Sequence, residues 1–262
     1  MEYELYTDLA RYYTAVSADR DFAAQVDFMS QYAHATGHPL GPDAVVLELF
    51  AGPAWHAQVL RERFSAASYC IDASHEMRKI AMASGRATQE TYIVGVLPEA
   101  LEQLPSQTRV DLVLMLRYSM GYLDPAQLEH LCRRVQEIMQ PGGLVLVELH
   151  NLGVLRNGLK ALSIRDRVVT SERGETVRCV WPEGDIAWDD DDWTATMAVR
   201  FDITERNGAT RVLTSTSREH IYPVKALERL ATACGLVFLD VTHQAQHAFP
   251  DSRVVVLQRS HV

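Results

Sequence analysis

The sequence predicts an α/β fold built on a doubly wound parallel sheet, and three observations carry that reading. Apolar runs alternate with amphipathic helical stretches from residue 44 to 149, the rhythm of a parallel sheet with helices on both faces. The first run, Val45 to Leu49, passes through a small-residue turn, Phe50 to Ala54, directly into a helical stretch. A parallel sheet offers backbone amides to a nucleotide at such a turn. Asp72 closes the second run, about 20 residues past the turn, where a carboxylate can accept from both hydroxyls of a ribose.

Each element follows in order. Residues 4–16 and 20–36 carry apolar and aromatic positions at helical spacing, with Asp19 and Asp21 near the second helix start. Strands are expected at 44–50, 67–72, 91–95, 110–116 and 144–149, and helices at 55–63, 75–84 and 125–139. Asp124 and Pro125 open the last of these helices, and Pro141, Gly142 and Gly143 end it. Between about 150 and 222 the period changes to two. Thr194 to Thr204 and Thr210 to Ile221 alternate like half-exposed strands around a hairpin turn at Arg206 to Ala209, which predicts an antiparallel insertion laid over the sheet as a lid. A helix at 223–234 and strands at 236–243 and 252–258 complete the chain. The whole, 1–262, reads as one domain with an N-terminal helical cap at 1–40 and the β-rich lid at 150–222.

A formal net charge of −9 over 262 residues, without a basic run, opposes a nucleic-acid partner. No apolar stretch reaches the length of a membrane span, and the acidic opening Met1 to Glu4 is unlike a signal peptide. A cytoplasmic protein without a membrane partner is expected, and homo-oligomer formation stays open. Cys70, Cys132, Cys179 and Cys234 are too scattered for a metal knuckle or a redox CxxC pair and read as buried thiols. His34 with His38 and His243 with His247 have helical i, i+4 spacing but no acidic third ligand nearby, so no metal is expected. The four aspartates between Trp188 and Trp193 read as a solvated loop, since neighbours on one strand point apart.

The blocks Glu48 to Ala54, Ile71 to Met77, Val110 to Leu114 and Leu131 to Glu148 resemble, in order and spacing, the class I S-adenosylmethionine-dependent methyltransferases. The N-terminal segment Leu9 to Thr14 and Ala18 to Phe22 is similar to the opening helices of small-molecule N-methyltransferases, including those acting on amino sugars and glycine. The resemblance implies a Rossmann-like seven-stranded sheet whose last strand is antiparallel, S-adenosyl-L-methionine as cofactor and a small-molecule acceptor. It implies a cofactor shell of Glu48, Phe50, Gly52, Asp72, Ala73, Met77, Val96, Leu97 and Leu116, with Tyr13 reaching over it. Within that shell Asp72 holds the ribose, Met77 and Leu97 pack on the adenine, and the Leu116 carbonyl holds the cofactor's amino group. Three positions depart from the family pattern: Phe50 and Ala54 stand where glycines are usual, and Val96 stands where many members place an acid for the adenine amino group.

On the acceptor side the candidates are Arg117, Tyr118, Tyr122 and Trp181. Arg117 suits an anionic group of cofactor or substrate, or equally an acid of the lid. His150, just past the fifth strand, is the candidate general base, because neutral imidazole can take a proton near neutral pH. Adjacent helix positions diverge by about 100°, so Tyr12 and Tyr13 cannot both face inward, and the resemblance favours Tyr13 as the positioning group. Methyl transfer needs alignment more than an elaborate catalytic constellation. The expected activity is N-methylation of a small amine. O-methylation of a natural-product hydroxyl and a catalytically silent binding protein of the same fold are the alternatives.

Overall fold

The computed structural model describes residues 4–157, 166–242, 245, 247–250 and 252–260. His243 of the expected histidine pair lies outside them. The chain forms two compact units, one of residues 21–151 and 222–262, the other of residues 1–20 and 152–221.

In the first unit α2 (Phe22–Ala35) leads into β1 (Val45–Leu49), α3 (Trp55–Phe64), β2 (Ala67–Asp72), α4 (His75–Ala83), β3 (Tyr92–Val94), β4 (Val110–Met115), α5 (Pro125–Ile138), β5 (Met139–His150), α7 (Val224–Ala233), β11 (Leu236–Thr242) and β12 (Ser252–Arg259). These strands make one seven-stranded sheet in the order β11-β12-β5-β4-β1-β2-β3. Strand β12 runs antiparallel to both of its neighbours, while β1 is parallel to β2 and β4, β2 to β3 and β4 to β5. Alternate residues supply two cores. Leu47, Leu49, Val113, Val145 and Val147 pack with side chains of α5 and α7 on one face, and Val46, Leu112, Leu114, Leu144 and Leu146 pack with α2 and α3 on the other. Burial on both faces is why these strands read as continuous apolar runs.

Local signals explain the boundaries. The Asp21 side chain accepts from Ala24 N at the start of α2, and Asp124 with Gln127 forms a capping box on α5 behind Pro125. The expected turn at Pro141 to Gly143 lies inside β5, where the pairing jumps from Val110 opposite Met139 to Leu112 opposite Leu144. Glycine suits position 143, because a Cβ there would sit 3.0–3.1 Å from the carbonyls of Val110, Asp111 and Gln140 and would push this backbone apart. All four cysteines are free and buried. Helix packing brings Cys132 and Cys234 into hydrogen-bond contact, and the bond from Cys132 lowers the Cys234 thiol to about 7.

The second unit comprises a 3-10 turn (Glu4–Tyr6), α1 (Ala10–Ser17), α6 (Leu152–Asn157) and strands β6 (Asp166–Thr170), β7 (Thr176–Val180), β8 (Ala187–Asp189), β9 (Thr194–Thr204) and β10 (Thr210–His220). Its sheet is antiparallel in the order β10-β9-β7-β6, with β8 on β9. The stretch expected as a cap over 1–40 is therefore divided: α1 groups with the insertion and α2 with the parallel sheet. The aspartate run is exposed, as the solvated-loop reading expects, and forms a tight turn from β8 to β9. Asp189 accepts from the backbone of Asp191 and Asp192, Asp190 pairs with Arg156 at 2.5 Å and Asp192 with Arg218 at 3.1 Å.

Candidate active site

The turn after β1 is held in an unusual backbone shape. Phe50, Gly52 and Ala54 have φ of 54°, 50° and 59°, the left-handed region that costs an L side chain about 1–2 kcal/mol. Phe50 keeps its side chain packed against the main core, and Ala54 is fully buried at the start of α3. Gly52 is different. A Cβ built on it meets nothing within 4 Å, so the turn leaves open space over its middle glycine. The Tyr92 hydroxyl donates to Gly52 O at 2.6 Å and pins the turn from β3.

Asp72, at the end of β2, reaches back to that turn. Its Oδ2 accepts from Gly52 N and its Oδ1 from Ser74 N, both at 2.8 Å. Helix α4 is capped by Ser74, whose Oγ accepts from Met77 N at 3.1 Å, so Asp72 is not needed as a cap. Each carboxylate oxygen retains a further lone pair. Burial raises the Asp72 carboxyl to about 6, against the lowering effect of its two backbone donors, and the Glu48 charge adds to the rise. Val96 is 56% exposed and Ala73 is also exposed beside this corner. Met77 and Leu97, expected on the adenine faces, are instead enclosed at 0% and 4% exposure. Val96 presents the apolar surface that they do not.

Glu48 corrects another expectation. Its Oε1 lies 2.8 Å from His56 Nδ1 and its Oε2 accepts from Ala57 N at 3.1 Å. His56 Nε2 in turn meets Gln25 Oε1 at 2.8 Å, and Gln25 donates to Ala248 O. Glu48 thus braces the first turn of α3 from inside the core, and His56, which carried no signal at the sequence level, is its buried partner.

At the end of β4 two successive residues, Arg117 and Tyr118, have φ of 60° and 61°. Arg117 N donates to Glu148 Oε2 at 2.7 Å, and the Arg117 guanidinium lies 6.0 Å over the Trp55 ring. The Leu116 carbonyl, expected to hold a cofactor amino group, already accepts from Ser119 N at 3.2 Å and Ser119 Oγ at 2.6 Å. Both of its lone pairs are engaged by the 3-10 turn Ser119–Tyr122, in which Tyr122 is half-buried. Tyr118 stacks flat on His150, with centroids 3.9 Å apart and planes 14° apart. The Tyr118 hydroxyl meets Ser252 Oγ at 2.8 Å, and Ser252 donates to Glu148 Oε1 at 2.6 Å. The structure therefore gathers Gly52, Asp72, Arg117, Tyr118 and His150 at the carboxyl ends of β1, β2, β4 and β5, which are consecutive in the sheet. Ser252 and Glu148 were missed because their pairing exists only across strands.

Tyr13 and Trp181 belong to the second unit, where the Tyr13 ring is 4.9 Å from Tyr6 and 6.3 Å from Trp181. Tyr12 is buried as well, against Phe201 and beside Arg11, Arg211 and Glu175. Both tyrosines of α1 are buried, Tyr12 at 2% and Tyr13 at 8% exposure.

The profile of the methyltransferase domain family matches residues 46–143, the span that carries Gly52, Asp72 and the Arg117 turn. That segment is a methyltransferase domain. No curated protein matches the sequence significantly. Among solved structures, the methyltransferase is similar to a S-adenosylmethionine-dependent methyltransferase from Clostridium acetobutylicum, at 17% identity and TM-score 0.71 over 97% of this chain and 98% of that one. It is also similar to CalS10, an amino pentose methyltransferase from Micromonospora echinaspora solved with bound S-adenosylmethionine, at 14% identity and TM-score 0.70 over 93% of each chain. The sugar N-methyltransferase KedS8 from Streptoalloteichus is a third, at 17% identity and TM-score 0.70 over 92% of this chain and 88% of that one.

The cofactor of this class, S-adenosylmethionine, suits the residues present. Asp72 has acceptor capacity left for a ribose diol, Gly52 leaves the space that a side chain would fill, and Val96 offers apolar surface.

Proposed function

We propose that the methyltransferase methylates the nitrogen of a small amine. The observation that carries this reading is the Tyr118–His150 stack at the carboxyl edge of β4 and β5, two strands away from the Asp72 corner. When bound, S-adenosylmethionine supplies a methyl group already activated by the sulfonium charge. What the protein adds is alignment and a path for the proton. Asp72 and Gly52 hold the nucleoside end, while aromatic faces and hydroxyls of Tyr118 and Tyr122 suit a cationic amine. His150 and Tyr118 are the two groups at the stack that can take a proton. Tyr13 is proposed as a positioning group, with Trp181 and Arg117 on the acceptor side, on the family resemblance. That CalS10 acts on an amino pentose and KedS8 on a sugar nitrogen supports an amino sugar as the first acceptor to try.

The test incubates the protein and S-adenosylmethionine with methyl glycosides of amino-deoxy pentoses and hexoses and with their hydroxyl counterparts, and reads products heavier by one CH2. Methylation confined to the amino members is the expected result. Methylation of the hydroxyl members alone would establish the O-methyl reading instead.

A further inference from the structure

The stack at His150 has a second layer behind it. Glu148 is completely buried at the end of β5, and its two oxygens have different tasks. Oε2 takes the backbone N–H of Arg117 at 2.7 Å, and Oε1 takes the Ser252 hydroxyl at 2.6 Å. A hydroxyl has one proton to give. Among the described residues, the other acceptor near Ser252 Oγ is Pro250 O at 3.5 Å, much the weaker partner. Ser252 therefore donates to Glu148, and in its 2.8 Å contact with Tyr118 it must accept. The phenol proton points inward along a line that ends on a carboxylate. Any further hydrogen-bonding group that meets the Tyr118 oxygen must do so as a donor.

That direction selects a ligand chemistry. An ammonium or amine N–H satisfies the Tyr118 oxygen, whereas a carboxylate is turned away. We propose that Tyr118, Ser252 and Glu148 form a proton relay that strips the acceptor's nitrogen, a proposal that rests on the N-methyl reading of the site. As the N–H bond breaks, its electron pair stays on nitrogen for attack on the methyl and the proton binds to the Tyr118 oxygen. The original phenol proton passes to Ser252 Oγ, and the serine proton passes to Glu148 Oε1, which ends as the neutral acid. Hydrogen bonds in series inside a protein polarise one another, which favours such a transfer.

The surroundings hold this line in place. His150 stacks against Tyr118 and fixes its ring plane, and His150 is also the residue opposite Ser252 in the β5–β12 pairing. Arg117 supplies its backbone N–H to Glu148 while its guanidinium sits over Trp55. Arg253, next on β12, projects to the other face by strand alternation. Strain of the kind seen at Arg117 and Tyr118 persists where the surrounding structure over-determines it, and here it aims the phenol at Ser252.

The test compares wild type with Ser252→Ala, Ser252→Thr and Glu148→Gln, using a 4-amino-4-deoxypentose methyl glycoside as probe, with kcat/KM followed from pH 6 to 9.5. Ser252→Ala and Glu148→Gln are expected to lose about 10²-fold at the acid end, in the range of general-base effects. They should regain most of the rate at the alkaline end, where the free amine needs no base, and Ser252→Thr, which keeps the hydroxyl, should follow wild type. Losses equal at every pH would make these residues structural and overturn the relay. A second readout needs no acceptor. In protein carrying 13C-labelled tyrosine, the Tyr118 hydroxyl proton, assigned with Tyr118→Phe, should be protected from exchange in wild type and exposed in Ser252→Ala. If wild type methylates no amine, the N-methyl reading fails, and a hydroxyl proton unprotected in wild type or unmoved by Ser252→Ala overturns the relay by itself.

Discussion

Because burial lifts the Asp72 carboxyl from 3.8 to about 6, cofactor affinity is expected to titrate in a range where an ordinary aspartate would leave it flat. Ribose hydroxyls donate, so they need the ionised carboxylate, and protonation removes one of its acceptor sites. If only the ionised form binds, the apparent dissociation constant scales as one plus ten to the power of the carboxyl pKa minus pH. With that pKa at about 6, S-adenosylhomocysteine should bind roughly 11-fold more weakly at pH 5 than at pH 8, or about 1.4 kcal/mol. Calorimetry in buffers of different ionisation enthalpy should find close to one proton released per ligand bound at pH 5 and almost none at pH 8. Asp72→Ala should bind about tenfold or more weakly at pH 8, the scale of a lost charged hydrogen bond, and should show no titration near pH 6. The sign for the free protein is opposite to that of a salt-bridged acid. A folded-state value raised above the unfolded one means that the native state binds more protons between 3.8 and about 6, so this group favours folding as pH falls through that window. Wild-type affinity unchanged from pH 8 to pH 5, or a titration that survives in Asp72→Ala, would refute the assignment of the ribose to this carboxylate.

Gly52→Ala should lower stability by about 1 kcal/mol, the cost of a left-handed φ, because the new methyl has open space around it. S-adenosylhomocysteine affinity, measured by calorimetry, should fall by more than that strain. His56→Ala removes the partner of a buried carboxylate and should cost about 3–5 kcal/mol in urea denaturation, and a loss below 1 kcal/mol would show that Glu48 is not held by this pair. Ser74→Ala should lose about 1 kcal/mol by the same measurement, as an N-cap. His150→Ala should reduce turnover on the amino-sugar probe by about tenfold or more near pH 6 and recover at the alkaline end, as Ser252→Ala does, if the ring acts through Tyr118. A His150→Ala loss that adds in full to that of Ser252→Ala in the double variant would return the role of base to the imidazole.

The central strands β1, β4 and β5 were legible because burial on both faces leaves a short apolar run bounded by turn residues. β2 spans Ala67–Asp72, the range expected from its sequence, and β9 spans Thr194–Thr204 likewise. β6, β7 and β8 were not foreseen. β6 and β8 are short and mostly exposed, and a strand of that kind is defined by its partner rather than by its own pattern. Asp72 and the Gly52 turn were legible because they are local signals at known spacing. The enclosed side chains of Met77 and Leu97, the doubly engaged carbonyl of Leu116 and the inward turn of Glu48 depend on packing, which the sequence does not display residue by residue.

What escaped the sequence most completely was a rule shared by the acids at the strand ends. Asp72, at the end of β2, accepts from Gly52 N in the turn of the neighbouring β1, and Glu148, at the end of β5, accepts from Arg117 N in the turn of the neighbouring β4. In both cases the carboxylate reaches sideways across the sheet and fixes a left-handed turn of the adjacent strand. Glu48, at the end of β1, turns instead to its own following helix through Ala57 N and His56. The two sideways acids hold the two turns assigned to chemistry, one at the nucleoside corner and one at the acceptor stack. A donor N–H from the partner turn orients each carboxylate while leaving its remaining lone pairs for other groups, so the same acid can be a structural clamp and a functional group. Partners of this kind are separated by 20 and 31 residues in the chain, and only the order of strands in the sheet makes them neighbours.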